Sequence, residues 1–136
     1  MNKKLFKNLC PCGNNSEYNN CCGQWHKSTS ENYLKAASAE QLMRSRYSAF
    51  VLKLEKYLLD TWHSSTRPQG LEFTHANTKW IGLEVKTHIQ QDENHATVEF
   101  MAKSKINGKA HTMHENSKFV RENGIWFYME GVSRIS

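Results

Sequence analysis

Ile81-Gly-Leu-Glu-Val-Lys-Thr-His-Ile89 and Ala96-Thr-Val-Glu-Phe-Met-Ala102 are the two runs that decide the fold. In the first, Ile81, Leu83, Val85, Thr87 and Ile89 alternate with Gly82, Glu84, Lys86 and His88. In the second, Ala96, Val98, Phe100 and Ala102 alternate with Thr97, Glu99, Met101 and Lys103. Successive side chains of a strand point to opposite faces, so a period of two marks a half-buried strand. Gln90 to Asn94 joins the runs as a turn. Downstream, Asn107-Gly108 is a hairpin signal, because a two-residue turn of type I′ needs positive φ at both positions. A third strand follows from Lys109 to Val120, with His111, Met113, Glu115, Ser117 and Phe119 on one face. Asn123-Gly124 predicts a second hairpin, and Ile125 to Gly131 a final aromatic strand.

Upstream of the strands the period changes. Ser38 with Gln41 three residues on forms a capping box, so a helix begins near Ala39. Ala39, Leu42, Met43, Tyr47, Phe50, Val51 and Leu54 then recur at helical spacing. Arg46 falls inside this apolar stripe, and a buried arginine needs a partner. Glu55 to Trp62 reads as a second short helix, with Tyr57, Leu58 and Trp62 on one side. His63-Ser-Ser-Thr-Arg-Pro68 ends it, and Pro68-Gln-Gly70 is a turn. Helices first and an antiparallel meander after predict an α+β fold, a curved antiparallel sheet packed on helices.

The chain has 136 residues, enough for one domain plus a small appendage. Apolar residues make up 38% and charged residues 23%, a globular composition. No stretch approaches the roughly 18 apolar residues of a membrane helix, so no membrane insertion is expected. The start, Met1-Asn-Lys-Lys-Leu-Phe-Lys-Asn-Leu9, lacks the apolar segment of a secretory signal, which predicts a soluble, cytoplasmic protein. The net charge of +5 is compatible with an acidic partner or nucleic acid without arguing for either.

All four cysteines lie within thirteen residues: Cys10, Cys12, Cys21 and Cys22. A disulfide framework spreads its cysteines to staple distant loops, whereas this clustering points to a metal. Two close pairs joined by a short loop place four soft ligands around one ion, and zinc is the metal that such a set suits. Gly13-Asn14-Asn15 supplies the turn between the halves. Either Cys22 or His26 completes the set. Four protein ligands leave no open position, so one structural zinc ion is expected. The segment has only Leu5, Phe6, Leu9, Tyr18 and Trp25 for a core and needs its metal to fold.

Cys10-Pro-Cys-Gly-Asn14 with Tyr18-Asn-Asn-Cys-Cys-Gly23 and His26 resembles the SEC-C motif, the zinc knuckle also found at the C-terminus of the SecA translocation ATPase. Asn14 stands where that motif usually has serine. Ala39-Glu-Gln-Leu-Met-Arg-Ser-Arg-Tyr-Ser-Ala-Phe50, Thr61-Trp-His-Ser-Ser-Thr-Arg-Pro68, Glu115-Asn-Ser-Lys-Phe119 and Gly124-Ile-Trp-Phe-Tyr128 resemble the YchJ family. That resemblance implies a SEC-C motif over residues 1–27 and a nuclear-transport-factor-2-like domain, of cystatin-like fold, over 28–136. Longer members carry a second knuckle at the C-terminus, and residues 23–136 contain no cysteine to form one. The resemblance supplies no activity.

A curved sheet on helices leaves a cavity at its open end. Candidates to line it are Arg46, Trp62, His63, Arg67, His114 and Glu115. Glu115 with a neighbouring imidazole would do general acid/base work. Alternatively, Arg46 and Glu115 form a buried structural ion pair. His63 at a helix end suits the helix dipole as a cap. Two classes of function are open. One is an adaptor that meets a protein partner through the knuckle and a ligand or second protein through the α+β domain. The other is a small-molecule enzyme of hydrolase, isomerase or dehydratase type. A weaker third is nucleic-acid binding through Lys3, Lys4, Lys7 and Lys27, with Tyr18 or Trp25 stacking on bases.

Overall fold

The computed structural model describes residues 9–71 and 78–135. Leu5, Phe6, Lys3, Lys4 and Lys7 lie outside the described residues. After a 3-10 turn at Tyr18–Asn20 come helices α1 (Gly23–His26), α2 (Ala39–Leu52) and α3 (Glu55–Asp60). Strands β1 (Thr78–Asp92), β2 (His95–Ile106), β3 (Lys109–Glu122) and β4 (Ile125–Ile135) complete the chain. The four strands form one curved antiparallel sheet in the order β1-β2-β3-β4.

Local chemistry accounts for the boundaries. The Ser38 hydroxyl accepts from the Gln41 amide at 3.2 Å, so the N-cap forms, and the Gln41 side chain accepts from the Ala37 amide at 2.9 Å, one residue upstream of the usual capping-box partner. Lys53 takes a left-handed conformation (φ 59°) and closes α2. The second helix stops at Asp60, short of the Trp62 that the sequence suggests. There the chain leaves to pair with β4: the Tyr128 amide donates to the Thr61 carbonyl and the His63 amide to the Tyr128 carbonyl, both at 2.8 Å. Asn107-Gly108 and Asn123-Gly124 both have the positive φ angles that two-residue hairpins demand (52° and 82°, 53° and 78°).

The alternation expected of β1 is broken. Register shifts between Trp80 and Gly82 and between Val85 and Thr87 insert bulges, each of which reverses the facing of the residues after it. Trp80, Leu83 and Val85 therefore turn to the core, opposite Ser104, Ala102 and Phe100. Ile81 and Ile89 stay 52% and 55% exposed, and Thr87 faces Glu99 on the outer side. β2 keeps strict alternation, with Ala96, Val98, Phe100 and Ala102 buried.

The core lies between α2 and the inner face of the sheet. Leu42, Met43 and Tyr47 pack with Val98, Phe100, Phe119 and Trp126, and the four cysteines belong to the same cluster. Ala49, Tyr57 and Leu58 form a second, smaller cluster between α2 and α3. Among the described residues no helix is long and apolar enough to cross a membrane.

Candidate functional site

Cys10, Cys12, Cys21 and Cys22 are all buried, and their sulfurs lie within 4.8 Å of one another. The backbone brings them together. Leu9 bridges to Glu17 and the Cys10 amide donates to the Ser16 carbonyl at 2.8 Å, so the loop folds back through positive φ at Gly13 and Asn15. The Cys21 amide bonds the Tyr18 carbonyl at 3.0 Å, and Cys22 opens α1. All four are free thiols. The Cys12 and Cys21 sulfurs are 3.6 Å apart, far beyond a disulfide bond of about 2.05 Å. That spacing is close to the edge of about 3.8 Å of a tetrahedron with zinc–sulfur bonds of about 2.3 Å.

The close sulfurs perturb one another strongly. Hydrogen bonds from Cys12 and Cys22 hold the Cys10 thiol well below its usual range, while its contact with Cys10 pushes Cys12 up to about 12. Cys22 is driven up further by the same neighbour and by burial. Sulfurs packed this closely become thiolates together only around a positive ion.

His26 points elsewhere. Its Nε2 lies 2.8 Å from the Ser45 carbonyl, which only accepts, so Nε2 carries the proton. Its Nδ1 therefore accepts from the Tyr18 hydroxyl at 2.6 Å. Both ring nitrogens are occupied, and the ring meets Tyr57 edge-on at 4.7 Å. No nitrogen remains for a metal in this arrangement. Burial lowers the His26 pKa, which keeps the ring neutral. Arg44 Nη1 donates to the Cys12 carbonyl at 3.1 Å, and the Ser48 hydroxyl lies 3.4 Å from Cys10 Sγ. One face of α2 thus grips the cysteine loop at Arg44, Ser45 and Ser48.

The adjacent face of α2 walls a cavity of about 310 Å³ against the sheet. Its lining is mostly apolar, with Arg46, Glu115, Ser117 and Tyr128 as polar groups and Trp62 beside them. Arg46 is 5% exposed, and its Nη1 donates to the Leu58 carbonyl at 2.8 Å and the Thr61 hydroxyl at 2.7 Å. The guanidinium sits 4.5 Å from the Tyr128 ring and 5.0 Å from the Trp62 ring. Burial lowers its pKa to about 10, so it remains a cation at neutral pH. Among the described residues Arg46 and Glu115 form no direct ion pair, because the arginine is held by neutral acceptors and rings instead. Glu115 accepts from the Ser117 hydroxyl. Burial, with the nearby Glu115 charge adding to it, pushes the Tyr128 hydroxyl up to about 12.

Gly131 makes room for the carboxylate. A Cβ there would lie 2.7 Å from Glu115 Cδ. Gly131→Ala should therefore displace the Glu115 side chain from Ser117 at a cost of about 1 kcal/mol, since crowding a packed site is destabilising. Chemical denaturation and a structure of the variant check this; an unchanged midpoint with Glu115 in place would contradict it.

The remaining candidates lie outside the cavity. His114 is on the outer face of the sheet, bonded to Glu99 at 2.6 Å, because neighbours along a strand point to opposite sides. Glu115 and His114 are therefore not brought together. His63 follows α3 by three residues; its imidazole bonds Glu122 at 2.8 Å and Ser65 at 2.7 Å and caps no helix. Arg67 is exposed and folds back on the Trp62 carbonyl at 3.0 Å. Ser117 and Tyr128, which sequence reasoning does not single out, belong to the site. Tyr128 lies opposite Phe119, the position that the Asn123-Gly124 hairpin register assigns to it.

Comparison with known proteins gives the lineage. A family model described as YchJ, middle NTF2-like domain, matches residues 38–131. The UPF0225 protein of Bordetella pertussis is 52% identical over 122 residues, covering 90% of each chain. That of Chromobacterium violaceum is 47% identical over 134 residues, covering 96% of each. The solution structure of a SEC-C motif containing protein from Rhodopseudomonas palustris superposes with a TM-score of 0.78 at 31% identity, over 90% of this chain and 96% of that one. The crystal structure of a SEC-C motif containing protein from Psychrobacter arcticus gives 0.74 at 30% identity, over 89% and 80%. With its four clustered cysteines and its NTF2-like sheet, the chain belongs to the YchJ family, the UPF0225 proteins.

Proposed function

We propose that this protein binds one structural zinc ion through Cys10, Cys12, Cys21 and Cys22. The body held together by that ion takes a small, largely apolar molecule into the cavity between α2 and the sheet. Zinc is supported by the donor set: four soft sulfurs within tetrahedral reach, with no position left open for catalysis. The observation that carries the binding reading is the cavity of about 310 Å³, apolar with a few convergent polar groups, which is the usual make-up of a small-molecule site. Binding is favoured over turnover because His114, the neighbouring imidazole on β3, points to the outer face, away from Glu115.

A protein partner at the cysteine loop is the second reading. Its support is the loop's exposed tip, where Leu9, Asn14, Asn15 and Asn19 meet solvent while the cysteines face inward. Nucleic acid is disfavoured, since Tyr18 and Trp25, the rings that would stack on bases, are partly buried against the core.

Ala102 is buried in the cavity wall, so Ala102→Phe should fill the space with the body still folded. Small aromatic compounds should raise the thermal midpoint of the native protein and leave that of Ala102→Phe unchanged. A full set of such compounds that shifts neither protein removes the reading.

A further inference from the structure

We infer that the cavity takes a monocarboxylate with an aromatic or alicyclic body, whose carboxylate is held by Arg46 and Trp62. This rests on the small-molecule reading of the cavity and names its ligand class. Arg46 is a buried cation without a carboxylate in contact among the described residues. Only its Nη1 donates, and only to the neutral acceptors Leu58 and Thr61. A guanidinium carries five N–H donors in a planar fork, so most of its hydrogen-bonding capacity is unspent. The flanking Trp62 and Tyr128 rings fix its position by cation–π contact but do not replace an anion. Glu115 acts on this charge only from a distance, so a carboxylate that enters the cavity and meets the free N–H groups adds a contact the cation lacks.

A second donor stands at the same place. Trp62 lines the cavity next to the guanidinium, and its buried Nε1–H has no hydrogen-bond partner among the described residues. Indole nitrogen only donates. Two unsatisfied donors on one cavity wall, one of them charged, select an anionic acceptor. A carboxylate suits them better than a phosphate. It is planar like the arginine fork, and two side chains satisfy it, whereas a buried phosphate demands more donors. The other walls, from Met43, Phe50, Phe100, Ala102, Met113 and Phe119, are apolar and suit a hydrocarbon body. At about 30 Å³ per water, 310 Å³ is the space of about ten waters, the size of a single ring with a short chain. Glu115, held by Ser117, lines the same cavity and opposes every negative charge brought in, while Arg46 offsets one, so one carboxylate is expected and not two.

The test uses 3-phenylpropanoate and its neutral amide, 3-phenylpropanamide, titrated into the metal-loaded full chain at neutral pH by calorimetry or NMR. The carboxylate should bind at least about tenfold more tightly than the amide. Trp62→Phe, which keeps the ring and removes the N–H, should weaken the carboxylate several-fold and the amide less. Arg46→Met should erase the preference for the carboxylate. Glu115→Gln should strengthen carboxylate binding, a sign that general unfolding would not produce. An amide that binds as tightly as the carboxylate, with Ala102→Phe blocking both, overturns the carboxylate assignment and leaves the cavity reading intact. Binding of neither overturns the assignment too, and the cavity reading then stands or falls on the neutral compounds tested with Ala102→Phe.

Discussion

Cys22→Ser should leave the protein without its metal and lower its thermal midpoint by more than about 10 °C. Cys22 is fully buried at the start of α1, and the four cysteines share one core cluster with α2 and β2. Loss of the ion therefore does not stop at the loop. A structural zinc contributes on the order of 10 kcal/mol to small domains that depend on it. Here the sheet and helices retain a core of their own, so the expected loss is about 3 kcal/mol, which at about 4 °C per kcal/mol gives a shift of that size. Chelation of the native protein should reproduce the fall, and zinc added back should reverse it. Scanning calorimetry with metal analysis decides the matter. A metal-free Cys22→Ser protein that melts with the native one would mean that the ion holds nothing together.

His26→Ala should destabilise the protein by about 2–4 kcal/mol while the ion stays bound. The imidazole joins the cysteine loop to α2 through Ser45 and fixes Tyr18. Each buried partner left unsatisfied costs about 1–3 kcal/mol. His26→Gln should recover part of this, because its amide N–H can still reach the Ser45 carbonyl. The same residue gives a pH dependence. Burial holds its folded pKa below the unfolded value of about 6.5, so the unfolded chain binds the proton more readily. Its contribution is complete above about pH 6.5 and is lost as the pH falls from there toward and through the folded pKa. Denaturation between pH 5.5 and 7.5, with metal content checked at each point, should show a shallower slope for His26→Gln. An equal slope would assign the acid sensitivity to the thiolates alone.

The parts of this fold that follow from local rules are legible in the sequence. Ala96 to Ala102 alternates without interruption and becomes part of β2, one of the two interior strands. Asn107-Gly108 and Asn123-Gly124 place the hairpins, because few other residue pairs tolerate two positive φ angles in succession. β1 is misleading for a physical reason: Ile81 and Ile89 keep the apolar period of their neighbours, but bulges near Trp80 and Val85 turn them to solvent. Bulges answer to the curvature of the whole sheet, which no window of residues contains.

The site divides in the same way. Cysteine spacing marks the cluster because metal geometry limits how ligands can be spaced. The role of His26 depends on where the Ser45 carbonyl falls, a tertiary fact, so its position in the motif suggests a ligand that the structure places elsewhere. Arg46 and Glu115 follow from their periods, and the same period-two rule excludes His114. His63 and Arg67 lie in a loop, whose course along β4 no periodicity foretells.

Hydrogen exchange of α2, measured with the ion bound and after chelation, is the most direct test that metal loop and cavity wall are one unit. Arg44, Ser45 and Ser48 hold the loop, and Arg46 on the same helix walls the cavity. The expected result is loss of protection in Ala39–Leu52 together with Cys10–His26 when the ion is removed. Loss confined to the cysteine loop, with α2 protected as before, would contradict it.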